Sequence, residues 1–168
     1  MKQIAQLLLF FLLFDPTAWG QSTYQQSDFK KIEWLLGGWK GLNNGVFFYE
    51  AWHKANDSTI VNFSIEIKNG DTLIKESGAL FIRNNRIFHG HKPVLWNASR
   101  IMTNQIVLKN DTLKYSNSII WLHTNEGHWF TILENPRSTV YYNLTREPKL
   151  DKKIEEWIAF HLKKKGDQ

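Results

Sequence analysis

Cysteine is absent from all 168 residues. Its absence excludes disulfides, thiol nucleophiles and lipid attachment through a cysteine. No Gly-x-Ser-x-Gly elbow occurs, and Gly37-Gly38-Trp39-Lys40-Gly41 lacks the strand–loop–helix spacing of a phosphate-cradling loop. Those gaps remove the common serine-hydrolase and nucleotide-triphosphate readings. Beyond the first twenty residues no apolar run approaches the length of a membrane-spanning helix. Proline is scarce, with 4 in the chain, so few strands need be interrupted.

The chain opens MKQIAQLLLFFLLFDPTAWGQ, with Lys2 ahead of the unbroken apolar run Leu7 to Phe14 and with small residues at Ala18 and Gly20. That order reads as a secretory signal peptide, because the apolar segment is too short to span a bilayer. The expected location is outside the cytoplasm, periplasmic or secreted. Without disulfides the exported domain must hold by core burial. The full chain has 8 Trp, 11 Phe and 5 Tyr, and those beyond residue 20 supply that burial, each ring removing a large apolar area from water. The formal charge is +5, but the excess gathers in Lys30-Lys31, Lys152-Lys153 and Lys163 to Lys165. No basic-plus-aromatic motif accompanies it, so these residues read as a solvated face and tail rather than a nucleic-acid site.

The length suits one domain. We divide it into a signal peptide (1–20), a flexible polar leader (21–28), a barrel (29–146) and a C-terminal helix with a basic tail (147–168). Asp28 is positioned to cap a helical turn over Phe29 to Leu36. From Val46 the period changes to two. Val61, Phe63, Ile65 and Ile67 alternate with polar residues, and Asn69-Gly70-Asp71 supplies hairpin chemistry into Thr72 to Ile82. Further strands are expected at Val46–Trp52, Arg86–His91, Gln105–Lys109, Thr112–Ser116, Ile119–His123, His128–Leu133 and Thr139–Thr145. Pro93 and the polar stretch Asn97 to Asn104 are expected to make the longest irregular connection. About nine strands joined by short turns predict a mainly β fold: an antiparallel up-and-down barrel of about eight to ten strands. Leu150, Ile154, Trp157, Ile158, His161 and Leu162 then recur at helical spacing, which predicts an amphipathic helix laid on the barrel wall.

Candidate chemistry is sparse. His89 and His91 stand two apart on a predicted strand, a spacing that places two ligands on one face, with His53, His123 or His128 as a third. Glu50, Glu66, Glu76 and Glu134 fall on strands. One that turned inward would call for Arg83, Arg86, Arg100 or Arg137 as partner, to hold a polar ligand head or to close the structure. Asp57-Ser58-Thr59, Asp71-Thr72-Leu73 and Asp111-Thr112-Leu113 are similar to a short O-glycosylation acceptor of exported bacterial proteins.

The opening Trp34-Leu35-x-Gly37-x-Trp39-x-Gly41 resembles the start of an uncharacterised bacterial domain family with a lipocalin-like, calycin-type barrel. Further elements follow in that family's order: Glu50-Ala51-Trp52, then Gly70-Asp71-Thr72 with Glu76, then Phe130 to Pro136 containing Glu134-Asn135-Pro136. Two features depart from the family pattern: Arg137-Ser138-Thr139 replaces its His-Asp-Phe-Pro, and the C-terminal helix is added. The resemblance implies a lipocalin-like barrel in which Trp34, Gly37, Trp39, Gly41, Glu50, Glu134, Asn135 and Pro136 are a structural signature. The Gly37-x-Trp39-x-Gly41 start is also similar to haem-binding barrels related to nitrobindin, which would need a proximal histidine, His123 or His128.

The leading expectation is an exported, non-catalytic barrel that binds a small apolar or amphipathic molecule, with no cofactor. Its candidate ligand-binding residues are Trp52, Glu76, His89, His91 and Arg137. A filled barrel without a ligand, a metal-dependent or acid–base enzyme, and a haem-binding barrel are the alternatives. N-terminal sequencing of the protein recovered outside the cytoplasm is expected to start within a residue or two of Gln21. A recovered chain that still carries Leu7 to Phe14 would remove the export reading.

Overall fold

The computed structural model describes residues 23–69, 71–114, 116–124 and 127–166, with side chains as far as residue 160. The signal-peptide segment, the first two residues of the leader and the side chains of the basic tail lie outside the described residues.

Ten strands follow in chain order: β1 (Gly37–Asn43), β2 (Val46–Asn56), β3 (Thr59–Lys68), β4 (Asp71–Arg83), β5 (Arg86–His91), β6 (Val94–Met102), β7 (Gln105–Lys109), β8 (Ser118–His123), β9 (His128–Asn135) and β10 (Ser138–Arg146). Each pairs antiparallel with the next, and β1 closes on β10 through Trp39↔Arg146, Lys40↔Thr145 and Gly41↔Leu144. Closure leaves no unpaired edge strand.

The expected mainly β, up-and-down barrel is therefore present, with three differences in its strands. β1 carries three glycines and β6 carries Asn97, Ser99 and Arg100, so neither displays a clean apolar alternation. Both are strands because neighbours on each side take their backbone groups. In contrast, residues 112–114 and 116 of the expected 112–116 strand are not in a strand. β7 pairs directly with β8, and Asn110 Oδ1 accepts from the Thr112 N–H at 3.0 Å and its hydroxyl at 2.6 Å, folding the connection into a side-chain-capped turn.

One barrel end is plugged from below. Helix α1 (Gln26–Lys30) and a 3-10 turn, Glu33–Leu35, lead into β1. Asp28 is the third residue of α1 rather than its cap. Its carboxylate accepts from the Gln25 N–H at 2.8 Å and the Lys31 ammonium at 2.6 Å, and the Lys31 bond first and the Gln25 bond second hold its pKa below the ordinary value. Within the polar leader, residues 23 and 25 to 27 are exposed and one side chain is anchored. Tyr24 is buried, and its N–H donates to the Asn85 carbonyl of the β4–β5 turn at 2.8 Å. Phe29, Ile32, Leu35 and Trp39 complete the floor. The Trp39 indole N–H donates to the Leu35 carbonyl at 2.7 Å, and its ring meets Trp129 edge-on at 5.9 Å.

Helix α2 (Lys149–Gly166) lies on the outer wall as its pattern predicts. Leu150 and Ile154 are buried against Ala51, Phe63 and Ile65, and Trp157 meets Phe63 edge-on at 5.3 Å. A polar clasp fixes where α2 begins. Arg146 bonds Asp151 through both guanidinium arms at 2.9 and 2.8 Å and donates to the Gly38 carbonyl at 2.7 Å. Asp151 in turn accepts from the Gly38 N–H at 2.7 Å. The first two glycines of β1 are there for space: a Cβ on Gly37 would sit 2.0 Å from the Arg146 guanidinium, and one on Gly38 would sit 2.4 Å from Leu150 Cβ. Gly37 also has φ +103, open to glycine and unfavourable to other residues.

Trp39 is 2% exposed and belongs to the main core. Trp39→Ala is expected to lower unfolding free energy by about 3–5 kcal/mol in urea titration. An equally stable folded variant would remove the architectural role given to this residue.

Candidate functional site

Above the floor the barrel is not filled. An interior cavity of about 340 Å³ is lined on one side by Phe48, Glu50 and Trp52 of β2 and Asn62 of β3. Across from them stand His89 of β5, Trp121 of β8, Trp129, Thr131 and Leu133 of β9, and Tyr142 of β10. The period-two alternation of these strands produces the set, since every second residue points inward. An adjoining depression of about 430 Å³ shares Phe48, Glu50 and Asn62 and continues to Ser64, Glu66, Lys68 and Ser77. A larger depression of about 720 Å³ lies elsewhere. Arg100, Gln105, Lys109, Asp111 and Glu134, all partly or fully exposed, line it, and it encloses no group. Enclosed polar groups make the interior cavity the candidate site.

The cavity walls are mainly aromatic. Trp52 meets Trp121 edge-on at 5.1 Å, Trp121 meets Trp129 at 5.5 Å, and Trp129 meets Trp34 of the floor at 5.8 Å. His89 sits among Trp121 at 4.9 Å, Trp52 at 5.8 Å and Trp96 at 5.8 Å. Such edge-to-face contacts add to the apolar burial of each ring.

Three polar groups are set into this wall. Glu50 Oε1 accepts from the Trp52 indole N–H at 3.1 Å. Glu50 is half-buried and lines both the cavity and the adjoining depression, and among the described residues no lysine or arginine pairs with it. Burial pushes its carboxyl up to about 7, and the indole bond only partly offsets this. Burial likewise pushes His89 down to about 4, so its imidazole is neutral at pH 7. His89 Nδ1 is buried and has no hydrogen-bond partner among the described residues. The third group, Asn62, is held by a bulge: Asn62 pairs with Gly78 and Phe63 with Glu76, leaving Ser77 as the extra residue. The Ser77 hydroxyl donates to Asn62 Oδ1.

The sequence candidates divide accordingly. Trp52 and His89 line the cavity. His91 is exposed at the end of β5 and Glu76 is exposed on β4, the two sharing a shallow depression with Phe81 and Gly90. His89 and His91, the pair of the metal alternative, therefore stand in different surroundings. No group of three His, Asp or Glu side chains suited to a metal occurs among the described residues. Arg137 is exposed in the β9–β10 turn, where its N–H donates to Asn135 Oδ1 at 2.8 Å. No inward Glu–Arg pair exists among the described residues. Arg83 and Arg86 lie over the Phe88 ring instead, at 5.2 and 5.4 Å, and Arg146 holds Asp151. Neither His123 nor His128 lines the cavity, and His123 stacks on Trp34 at 5.0 Å.

Within the signature, Trp34, Gly37, Trp39 and Gly41 build the floor and β1, whereas Glu50 belongs to the cavity. Glu134 and Asn135 end β9, and Asn135 Oδ1 organises the following turn. Asn62, Trp121, Trp129 and Tyr142 are cavity residues that sequence reading missed. The inward alternation of their strands was the available signal.

Fold and site together define a closed antiparallel barrel with an aromatic-lined cavity that opens to solvent. No protein-family model, no curated protein and no solved structure matches the chain.

The two shifted groups act on stability in opposite directions. Glu50 has a folded pKa above its unfolded value, so its contribution is complete below about 4.5 and is lost as pH rises through about 7. His89 has a folded pKa below its unfolded value, so its contribution is complete above about 6.5 and is lost as pH falls through about 4. Glu50→Gln removes the first dependence. Relative to the parent it is expected to gain on the order of 3 kcal/mol between pH 4.5 and pH 8 in urea titrations. Parallel curves for the two proteins across that range would exclude a buried, unpaired Glu50.

Proposed function

We propose that this protein is an exported, lipocalin-like binding barrel that holds one small amphipathic molecule in the interior cavity. The observation that carries this reading is the cavity itself. It has about 340 Å³ of space with aromatic walls, broken by a few polar groups. Among the described residues, Glu50 lacks a counter-ion and His89 Nδ1 lacks a partner. Aromatic rings would take the apolar body of a ligand and the polar groups would orient its head. Export rests on the N-terminal order of Lys2, the apolar run and the small residues Ala18 and Gly20. The order of Trp34 to Gly41, Glu50-Ala51-Trp52 and Glu134-Asn135-Pro136 supports the lipocalin-like assignment.

A second reading, acid–base catalysis, is favoured by one observation: Glu50 and His89, with opposite protonation shifts, share a cavity. Native mass spectrometry of protein purified from its source is expected to show a complex heavier than the chain by one small molecule. A molecule recovered unchanged after prolonged incubation favours binding, and conversion favours catalysis. Bare chain in every preparation, with no fluorescence response to any probe, would sink both readings.

A further inference from the structure

The ligand class follows from the charge and surface chemistry of the cavity, an inference that rests on the binding reading above. We propose that the cavity takes a small organic cation, a protonated amine on an apolar body, with Glu50 as its counter-ion.

A carboxyl set deep in a barrel wall ordinarily has a cation beside it, because an ionised carboxylate without water or a partner is costly. Among the described residues Glu50 has none, and its only hydrogen-bond donor is the Trp52 indole. The second Glu50 oxygen is therefore available to a ligand. The walls around it are aromatic: Phe48, Trp52, Trp121, Trp129 and Tyr142. The faces of such rings carry negative potential, which attracts a cation and repels an anion. His89, kept neutral by burial, contributes the unpartnered Nδ1, and the backbone at Ala79 favours an N–H on the ring. In the tautomer that carries its proton on Nε2, Nδ1 is an acceptor open to a ligand N–H.

An ammonium group carries up to three N–H donors and no acceptor. It suits a carboxylate oxygen and an imidazole nitrogen inside an aromatic box. A carboxylate ligand would meet ring faces and a second carboxyl. It could bind only against protonated Glu50.

The proposal couples binding to protonation. The titratable groups lining the cavity are Glu50, His89 and Tyr142, while Glu66 and Lys68 stand in the adjoining depression and pair with each other at 2.8 Å. A bound ammonium stabilises ionised Glu50, so binding releases a proton wherever free Glu50 is protonated. The cation should bind more weakly below the free-state pKa of about 7.

Intrinsic tryptophan fluorescence and calorimetry with three matched probes test this: 2-phenylethylamine, 2-phenylethanol and phenylacetate. The amine is expected to bind tightest, with an affinity that rises about tenfold from pH 6 to pH 8 as Glu50 ionises. Alcohol binding should stay flat over that range. Glu50→Gln is expected to weaken the amine roughly tenfold or more and leave the alcohol within about twofold. Circular dichroism confirms that the variant is folded. Equal affinities for amine and alcohol, or an amine affinity unchanged in Glu50→Gln, overturn the cation proposal while leaving binding in the cavity intact. Preference for phenylacetate does the same. A protein that binds no probe and yields no complex by native mass spectrometry loses both the proposal and the reading beneath it.

Discussion

The edge-on contact of Trp39 with Trp129 joins the first long stretch of the barrel to the penultimate strand, and the remaining architecture is arranged around it. Trp39 belongs to β1 and Trp129 to β9, so their packing takes place inside the closed cylinder. Trp129 then meets Trp34 of the floor and Trp121 of β8, and Trp121 meets Trp52 of β2. A single run of perpendicular rings thus passes from the plug to the cavity wall. Its lower members fill space and its upper members enclose space. The boundary between stability and binding falls within this run of like residues.

That continuity explains why a cavity can survive in a chain so rich in aromatics. Ile32, Leu35, Ile60, Leu80, Ile87, Ile106 and Leu108 are fully buried and pack the lower barrel. Close packing of that kind tolerates few voids, so the empty upper volume stands out. It coincides with Glu50, His89 and Asn62, groups that an apolar core would ordinarily exclude. The bulge at Ser77 serves the same region, because its hydroxyl fixes the amide of Asn62.

Much of the fold was legible in the sequence because period-two alternation and asparagine-containing turns are local signals. β3, β5 and β7 show this well, and Asn69 and Asn84-Asn85 take positive φ at the turns their chemistry predicts. β1 was not legible as a strand because Gly37 and Gly38 answer to Arg146 and Leu150, residues more than a hundred positions away. The candidate site was only partly legible. Trp52 and His89 were named, but whether a residue two positions along shares an environment depends on where the strand ends. His91 stands at that end, exposed, while His89 is enclosed. The inward carboxylate was foreseen as a type, yet its expected arginine partner was not found. The arginines of β4 and β5 stack on outward phenylalanines instead.

The Arg146–Asp151–Gly38 clasp bears also on the order in which the molecule assembles. Pairing of β1 with β10 is the step that converts a curled meander into a cylinder, and it joins residue 39 to residue 146. Local hairpins from β2 to β9 can form as the chain emerges, but the cylinder has no last wall until β10 exists. A seam of such long sequence separation is slow to find by chance. Gly38 offers an N–H and a carbonyl to the Arg146–Asp151 pair directly beside that seam. The clasp therefore ties the two ends of the barrel together beside the seam of longest sequence separation. The tryptophan-lined interior is a cylinder because that seam is closed.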